Sequence, residues 1–316
     1  MTPWLLLVLH ALCVVALAPL LVGWVRKVRA RLQNRRGAPV WQPYWDLRKW
    51  LGKETRVAHT ASPLFIAAPY LVFATILLAA ASLPLIAVAP PGAAFADLIA
   101  LVGLLALGRF FLALAGLDVG TAFGGMGSSR EMLIAALAEP ALLLVFFTLA
   151  MTTHGTDPNG VIRFHLDTTP VLRPAYLFAF GALLLVAVAE TGRIPVDNPS
   201  THLELTMVHE AMILEYSGRH LALMEWAAWI KLLLYGTLIT NLFLPWGIGR
   251  EPTGLVLLGG AFVLLLKLFA LGALLALAET VLAKMRLFRV PVFLNLALLL
   301  ALLGLLSHVI LGVTNP

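Results

Sequence analysis

The sequence predicts an all-α integral membrane protein, and three observations carry that expectation. Mean hydropathy is +0.94. Charged residues make up only 12% of the chain, about half the ~25% usual for soluble domains. Long apolar runs recur over the whole length, each able to supply the ~20 residues that cross a hydrocarbon core. The runs are continuous rather than alternating, which excludes an outer-membrane β-barrel.

Eight transmembrane helices are expected, over 4–25, 64–87, 96–117, 130–152, 171–190, 223–246, 254–283 and 288–312. The basic residues support this count. With both termini outside, the segments 26–63, 118–129, 191–222 and 284–287 face the cytoplasm. Sixteen Lys and Arg then lie inside and three outside (Arg163, Arg173 and Arg250), with Arg109, Lys231 and Lys267 within spans. That is the positive-inside bias of a bacterial inner-membrane, multi-pass protein, and an odd number of spans would destroy it. The chain is read as one polytopic domain, 1–316, with two large cytoplasmic loops, 26–63 and 191–222, that carry amphipathic helices and receive a partner. The first apolar run has no positive charge before it, whereas Arg26, Lys27, Arg29 and Arg31 follow it. This is the reverse of a cleaved signal peptide, so a retained helix is expected.

Several function classes fall away. The net charge of +6 does not mark a nucleic-acid binder, because 10 of the 22 basic residues lie between Arg26 and Arg56, beside a span. A single cysteine, Cys13, cannot build a disulfide framework or an iron–sulfur ligand set. His209-Glu210 lacks the second histidine of a zinc H-E-x-x-H motif, since position 213 is Ile213. The glycine-rich stretch Gly120–Arg130 has no GK[ST] ending and reads as a turn capping the fourth span through Ser128 or Ser129. No internal repeat is visible, which argues against a stand-alone secondary transporter.

The acids are unevenly placed. Glu190, Asp197, Glu204, Glu210 and Glu215, five of the 16 acids, fall between Glu190 and Gly218. Thr201 and Glu204 fit a capping box, with Asn198-Pro199 as an alternative helix start. From there Leu203, Met207, Glu210 and Leu214 fall on one stripe of an expected amphipathic helix, which puts Glu210 in its apolar face, where burial raises a carboxyl pKa. Arg109, Glu139, Glu190, Lys231, Lys267 and Glu279 lie within or at the ends of spans. A charge at mid-bilayer costs at least about 2.5–3.5 kcal/mol, so such groups face a wet interior or one another. Snorkelling at helix ends is the alternative for Glu190, Glu279 and Lys231. Pro140, directly after Glu139, frees a backbone carbonyl one turn back, at Ala136.

Three motifs carry a resemblance over essentially the full length: Arg36-Gly37 with QPYWDLRKWLGKE (Gln42–Glu54), SREMLIAALAEP (Ser129–Pro140), and GRIPVDNP…EYSG (Gly192–Gly218). The chain resembles the membrane-anchor subunit shared by respiratory complex I (its NADH-dehydrogenase subunit 1) and the group 4 membrane-bound nickel–iron hydrogenases. Within that family it is most similar to the formate hydrogenlyase and hydrogenase 4 branch. Complex I versions carry further acids shortly after the RxPxD motif, where Ser200 and His202 stand here, and the interval from Asp197 to Glu215 is a few residues longer. These departures count against a quinone chamber.

The resemblance implies a subunit without a redox centre or metal of its own. The nickel–iron centre and iron–sulfur clusters are expected in partner subunits: the hydrogenase large and small subunits and an iron–sulfur subunit. Antiporter-like membrane subunits are the further partners. Carried over by motif, the ion-coupling candidates are Glu139, Glu190, Asp197, Glu204, Glu210 and Glu215, with the in-span Arg109 and Lys267. Arg193 is expected to order its loop by pairing with Asp197 or a neighbour. Gln42, Tyr44, Asp46, Lys49 and Lys53 are expected to dock the partner. The competing expectations are a quinone-site subunit of a complex I-like dehydrogenase and an independent ion transporter.

Overall fold

In hydrocarbon no water is present to bond a free amide or carbonyl, so apolar runs of this length close their own backbone hydrogen bonds as helices. The computed structural model describes residues 3–88, 97–167, 173–197, 207–249, 254–283 and 285–314. They form α1 (Pro3–Leu32), α2 (Gln42–Leu51), α3 (Pro63–Ala81), α4 (Leu98–Asp118), α5 (Ala122–Thr153), α6 (Pro158–Asp167), α7 (Pro174–Glu190), α8 (His209–Ile213), α9 (Gly218–Leu238), α10 (Gly254–Val281) and α11 (Val290–Thr314). A π-helical turn, Ile239–Phe243, extends α9. Seven of these helices are long and apolar enough to cross a membrane; α7, at Pro174–Glu190, is apolar but shorter. Among the described residues the only β pairing is an isolated bridge between Ala87 and Gly249.

Each of the eight expected runs holds a helix, but three local features depart from the sequence reading or add to it. First, the glycine-rich stretch is helix, not turn. Thr121 caps α5, its Oγ1 accepting from the Gly124 amide at 3.3 Å, and the helix runs on through Gly124, Gly125 and Gly127. The reason is close packing: a Cβ at Gly124 would sit 2.1 Å from the Gly116 carbonyl oxygen of α4. Ser128 does not cap; its hydroxyl donates to the Ala113 carbonyl at 2.9 Å. Second, the segment after α5 forms α6, where Asp157 accepts from the Asn159 amide at 3.0 Å. Third, the long amphipathic helix expected in 191–222 is, among the described residues, only α8. It buries Ala211, Met212 and Ile213, while Leu214 is exposed and off the expected stripe. Asn198, Pro199, Thr201, Leu203 and Glu204 lie outside the described residues.

Around the bundle α10 packs on α1, α1 on α9 and α3, and α3 on α4. Then α4 packs on α5, and α5 and α7 pack on α11. The outer faces of α10 and α11 carry exposed side chains such as Leu258, Phe262, Leu296 and Ile310. The two distant motifs QPYWDLRKWLGKE and EYSG meet. Gly218 has φ +53° and a Cβ there would lie 2.6 Å from the Glu54 carbonyl oxygen, so only glycine fits. Ser217 accepts from the Arg56 amide at 2.8 Å and donates to the Arg56 carbonyl at 2.9 Å. Tyr216 stacks on Phe65 at 4.0 Å and donates to its carbonyl at 3.0 Å. This knot fixes where α9 starts, and therefore where its charged side chains point.

Candidate functional site

Arg109 lies near the middle of α4, with 4% of its side chain exposed. A guanidinium offers five N–H donors and no acceptor, so burying one demands carboxylates around it. Two come from α5: Arg109 Nη1 donates to Glu139 Oε1 at 2.7 Å, and Arg109 Nε lies 3.5 Å from Glu131 Oε1. The third is Glu190, the last residue of α7, bound through Arg109 Nη2. Glu131 and Glu139 are eight positions apart on one helix, about 80° around its axis, so one side of α5 presents both. Lys231 of α9 completes the cluster, its Nζ 2.9 Å from Glu190 Oε2. Four helices thus bring together three carboxylates and two cations, a formal surplus of one negative charge.

A cavity of about 320 Å³ lies against this cluster, with Arg109, Glu131, Glu190 and Lys231 in its wall. Asp197, Glu210 and Glu225 also line it, as do Arg26, Arg29 and Arg193. Asp197 is buried and its Oδ2 accepts from the Val208 amide at 3.2 Å, which holds the start of α8. Burial pushes the Glu210 carboxyl above its ordinary range; Glu225 and Asp197 add to this, and His209 and Arg26 oppose it. Glu210 is half-buried and faces a cavity lined by charged groups rather than a purely apolar interior, and among the described residues the helix around it is only α8.

Arg193 finds a carboxylate on another helix. Its Nη1 lies 3.2 Å from Glu279 Oε1 on α10, and Arg29 Nη1 of α1 lies 3.2 Å from Glu279 Oε2. Neither Glu190, Glu279 nor Lys231 snorkels: Glu190 and Glu279 are buried, and all three are ion-paired. Lys267 stands apart from the cavity. Its ammonium meets the Leu244 carbonyl, just past the π-helical turn, and the Trp246 ring at 4.4 Å. Glu215 is exposed and Glu204 lies outside the described residues.

The expected docking residues divide. Gln42 donates to Asp46 at 2.9 Å, Tyr44 donates to the Ala16 carbonyl of α1, and Asp46 lies 4.0 Å from Arg26. Tyr44 and Asp46 thus tie α2 to α1, while Gln42 orients Asp46 from within α2. Lys49 and Lys53 are exposed, beside the exposed Trp41 and Trp45. Among the described residues no group of His, Cys, Asp and Glu could hold a metal ion.

Sequence reasoning missed Glu131, Glu225, Arg29 and Tyr235 as members of these constellations. Glu131 was findable, since it precedes Glu139 by eight residues within one motif. Glu225 and Tyr235 flank Lys231 on α9, and helical register alone could have raised them.

A bundle of apolar helices with an internal ion-pair network against a polar cavity defines a multi-pass membrane protein. The chain belongs to the NADH dehydrogenase family, whose model matches residues 4–309. It is 37% identical to hydrogenase-4 component C of Escherichia coli K12, over 88% of this chain and 87% of that one. It is 33% identical to formate hydrogenlyase subunit 4 of the same organism, over 88% and 90%. A subunit of the NADH-quinone oxidoreductase of Geobacillus sp. WCH70 is 29% identical over 69% and 67%. The fold matches a chain from the membrane-bound sulfane sulfur reductase, an archaeal respiratory membrane complex, with TM-score 0.81 over 97% of this chain and 99% of that one, at 20% identity. The family expectation drawn from the three motifs is therefore correct.

Proposed function

We propose that this chain is the membrane-anchor and ion-coupling subunit of a multisubunit membrane-bound nickel–iron hydrogenase complex of the bacterial inner membrane. One observation carries the reading: a buried cluster with one carboxylate more than its cations borders a cavity lined by further titratable groups. A surplus carboxylate can take and release a proton; a balanced pair is held ionised. The greater identity to hydrogenase-4 component C and formate hydrogenlyase subunit 4 than to the NADH-quinone oxidoreductase relative supports the hydrogenase branch.

In this reading the chain has eight spans with both termini outside, and forms one domain. The exposed basic face of α2 and the segments on either side of it, with Lys49 and Lys53, receive the peripheral module. That module, with its large, small and iron–sulfur subunits, holds the nickel–iron centre and the clusters. Asp197, Glu210 and Glu225 receive charge at the cavity; Glu190 and Glu131 hold it at the inner wall. Glu139, with 32% of its side chain exposed, passes it to an antiporter-like membrane subunit. A proton or a sodium ion can serve as the cargo. Arg193 and Arg29, fixed by Glu279, keep the loop after α7 in place.

The test is the purified complex in liposomes, assayed for hydrogenase activity and for ion gradient on the same sample. Glu139→Gln and Glu190→Gln are expected to keep dye-linked hydrogenase turnover and to lose at least about tenfold of the gradient per hydrogen. A full gradient in both variants overturns the coupling role. The second reading, a quinone-site subunit, draws on the cavity and on the likeness to the NADH-quinone oxidoreductase relative; turnover blocked by quinone-site inhibitors would favour it.

A further inference from the structure

The cavity wall contains Arg109, Glu131, Glu190 and Lys231, but not Glu139. Glu139 lies beyond Arg109, bound to its Nη1 at 2.7 Å, with 32% of its side chain exposed. The hydrogen-bonded connection from the cavity side of the cluster to Glu139 therefore runs through the guanidinium, which does not give up a proton in proteins. Some other group has to carry it.

Tyr235 is the candidate for that group. It lies on α9 one turn after Lys231, so the two side chains share a face. Its residue is 1% exposed, and among the described residues its hydroxyl has no hydrogen-bond partner. Arg109 Nε is likewise buried without one, since Glu131 Oε1 at 3.5 Å is no hydrogen bond. The charges of Glu190, Arg109, Glu139 and Glu131 all act on the Tyr235 oxygen. A buried hydroxyl without a partner destabilises the fold, and phenylalanine would fill the same space without that cost. Two orphaned polar atoms in one cluster also supply partners for a buried water, which needs two to four.

We infer that Tyr235, with a water shared between its hydroxyl and Arg109 Nε, is the proton-relay residue linking the cavity side of the cluster to Glu139. The hydroxyl takes a proton, by way of the water, from a protonated Glu131 or Glu190 and gives its own proton on toward the Glu139 carboxylate. The tyrosine ends neutral and unchanged; one proton has moved, one O–H bond has formed for each broken, and no electron is transferred. This rests on the coupling role proposed above and narrows the cargo to a proton.

The experiment uses the whole complex in liposomes with Tyr235→Phe beside Glu139→Gln. The phenylalanine variant is expected to assemble and to keep dye-linked hydrogenase turnover, while proton uptake per hydrogen falls at least about tenfold. Glu139→Gln defective with Tyr235→Phe at wild-type coupling overturns the relay and leaves the coupling role standing. Both variants at wild-type coupling overturn the two together. A sodium gradient unaffected by Tyr235→Phe also overturns the relay. If Tyr235→Phe fails to assemble, fluorotyrosine at 235 keeps the ring and the hydroxyl but makes it more acidic. A pH profile of coupled proton uptake displaced to lower pH supports the relay; an unmoved profile overturns it.

Discussion

Two buried ion clusters border the same cavity and are built to opposite charge stoichiometries. Around Arg109 and Lys231 stand Glu131, Glu139 and Glu190, three carboxylates on two cations. Around Glu279 stand Arg29 and Arg193, two guanidiniums on one carboxylate. The spare group decides what each can do. A spare carboxylate exchanges a proton within the range its neighbours set, whereas a spare guanidinium stays charged at every accessible pH. The first cluster sits among α4, α5, α7 and α9 and can change its charge. The second ties the end of α1 and the segment after α7 to α10, and can only hold. The same kinds of group thus leave a carboxylate in excess in one place and a guanidinium in excess in the other, and the proposed coupling role rests on the first.

The sharpest way to break this comparison is Arg109→Met. It removes the one cation that touches all three carboxylates and leaves buried charge uncompensated, at a cost of about 3–5 kcal/mol. The expected outcome is loss of the assembled complex from the membrane, read by native gel and by the thermal stability of any complex that survives. Normal assembly would mean that the acids are not held as ions by Arg109. Glu279→Gln comes next. It weakens two charge-assisted hydrogen bonds, each worth about 1.5–3 kcal/mol, without emptying the position. Faster amide exchange over 191–197 and the end of α1 is expected, with turnover kept. Coupling lost without any change in exchange would place Glu279 in the ion path and erase the contrast between the clusters.

Much of this was legible before any coordinates. The eight apolar runs place eight helices because continuous hydrophobicity leaves the backbone few alternatives. The in-span charges Arg109, Glu139 and Glu190 announce a site because their burial needs partners. Two kinds of feature were hidden. Gly124, Gly125 and Gly127 look like a loop in isolation but lie within α5, where Gly124 admits the α4 backbone and Gly127 admits Val208, Ala211 and Met212. Arg193 and Glu279 are 86 positions apart, and a pairing at that separation has no local trace. Helical periodicity also oversold the segment around Glu210, where the stripe through Leu214 ends in solvent.

Glu139→Gln tests the edge of the Arg109 cluster. Its carboxylate is partly exposed, so screening keeps the stability cost below about 1 kcal/mol. The variant should assemble normally while coupling falls. A stability loss as large as that of Arg109→Met would instead make Glu139 a structural ion, and the surplus carboxylate of the cluster would lose its role.

The smallest expected effect concerns Glu210, a cavity carboxyl outside both clusters. Burial raises its pKa, with Glu225 and Asp197 adding and His209 and Arg26 opposing. Above the ordinary carboxyl pKa, the native chain keeps a proton that the unfolded chain releases. The stability from that proton is complete below the unfolded value and is lost as pH rises through the folded one. Glu210→Gln imitates the protonated form at every pH. Its thermal midpoint should match wild type at acid pH and rise above it, slightly, as pH increases toward about 8. A midpoint below wild type at that alkaline end would show that the carboxylate is needed in its charged form. Glu210 would then act as a clamp, as Glu279 does, and the cavity would owe its titratable character to Asp197 and Glu225 instead.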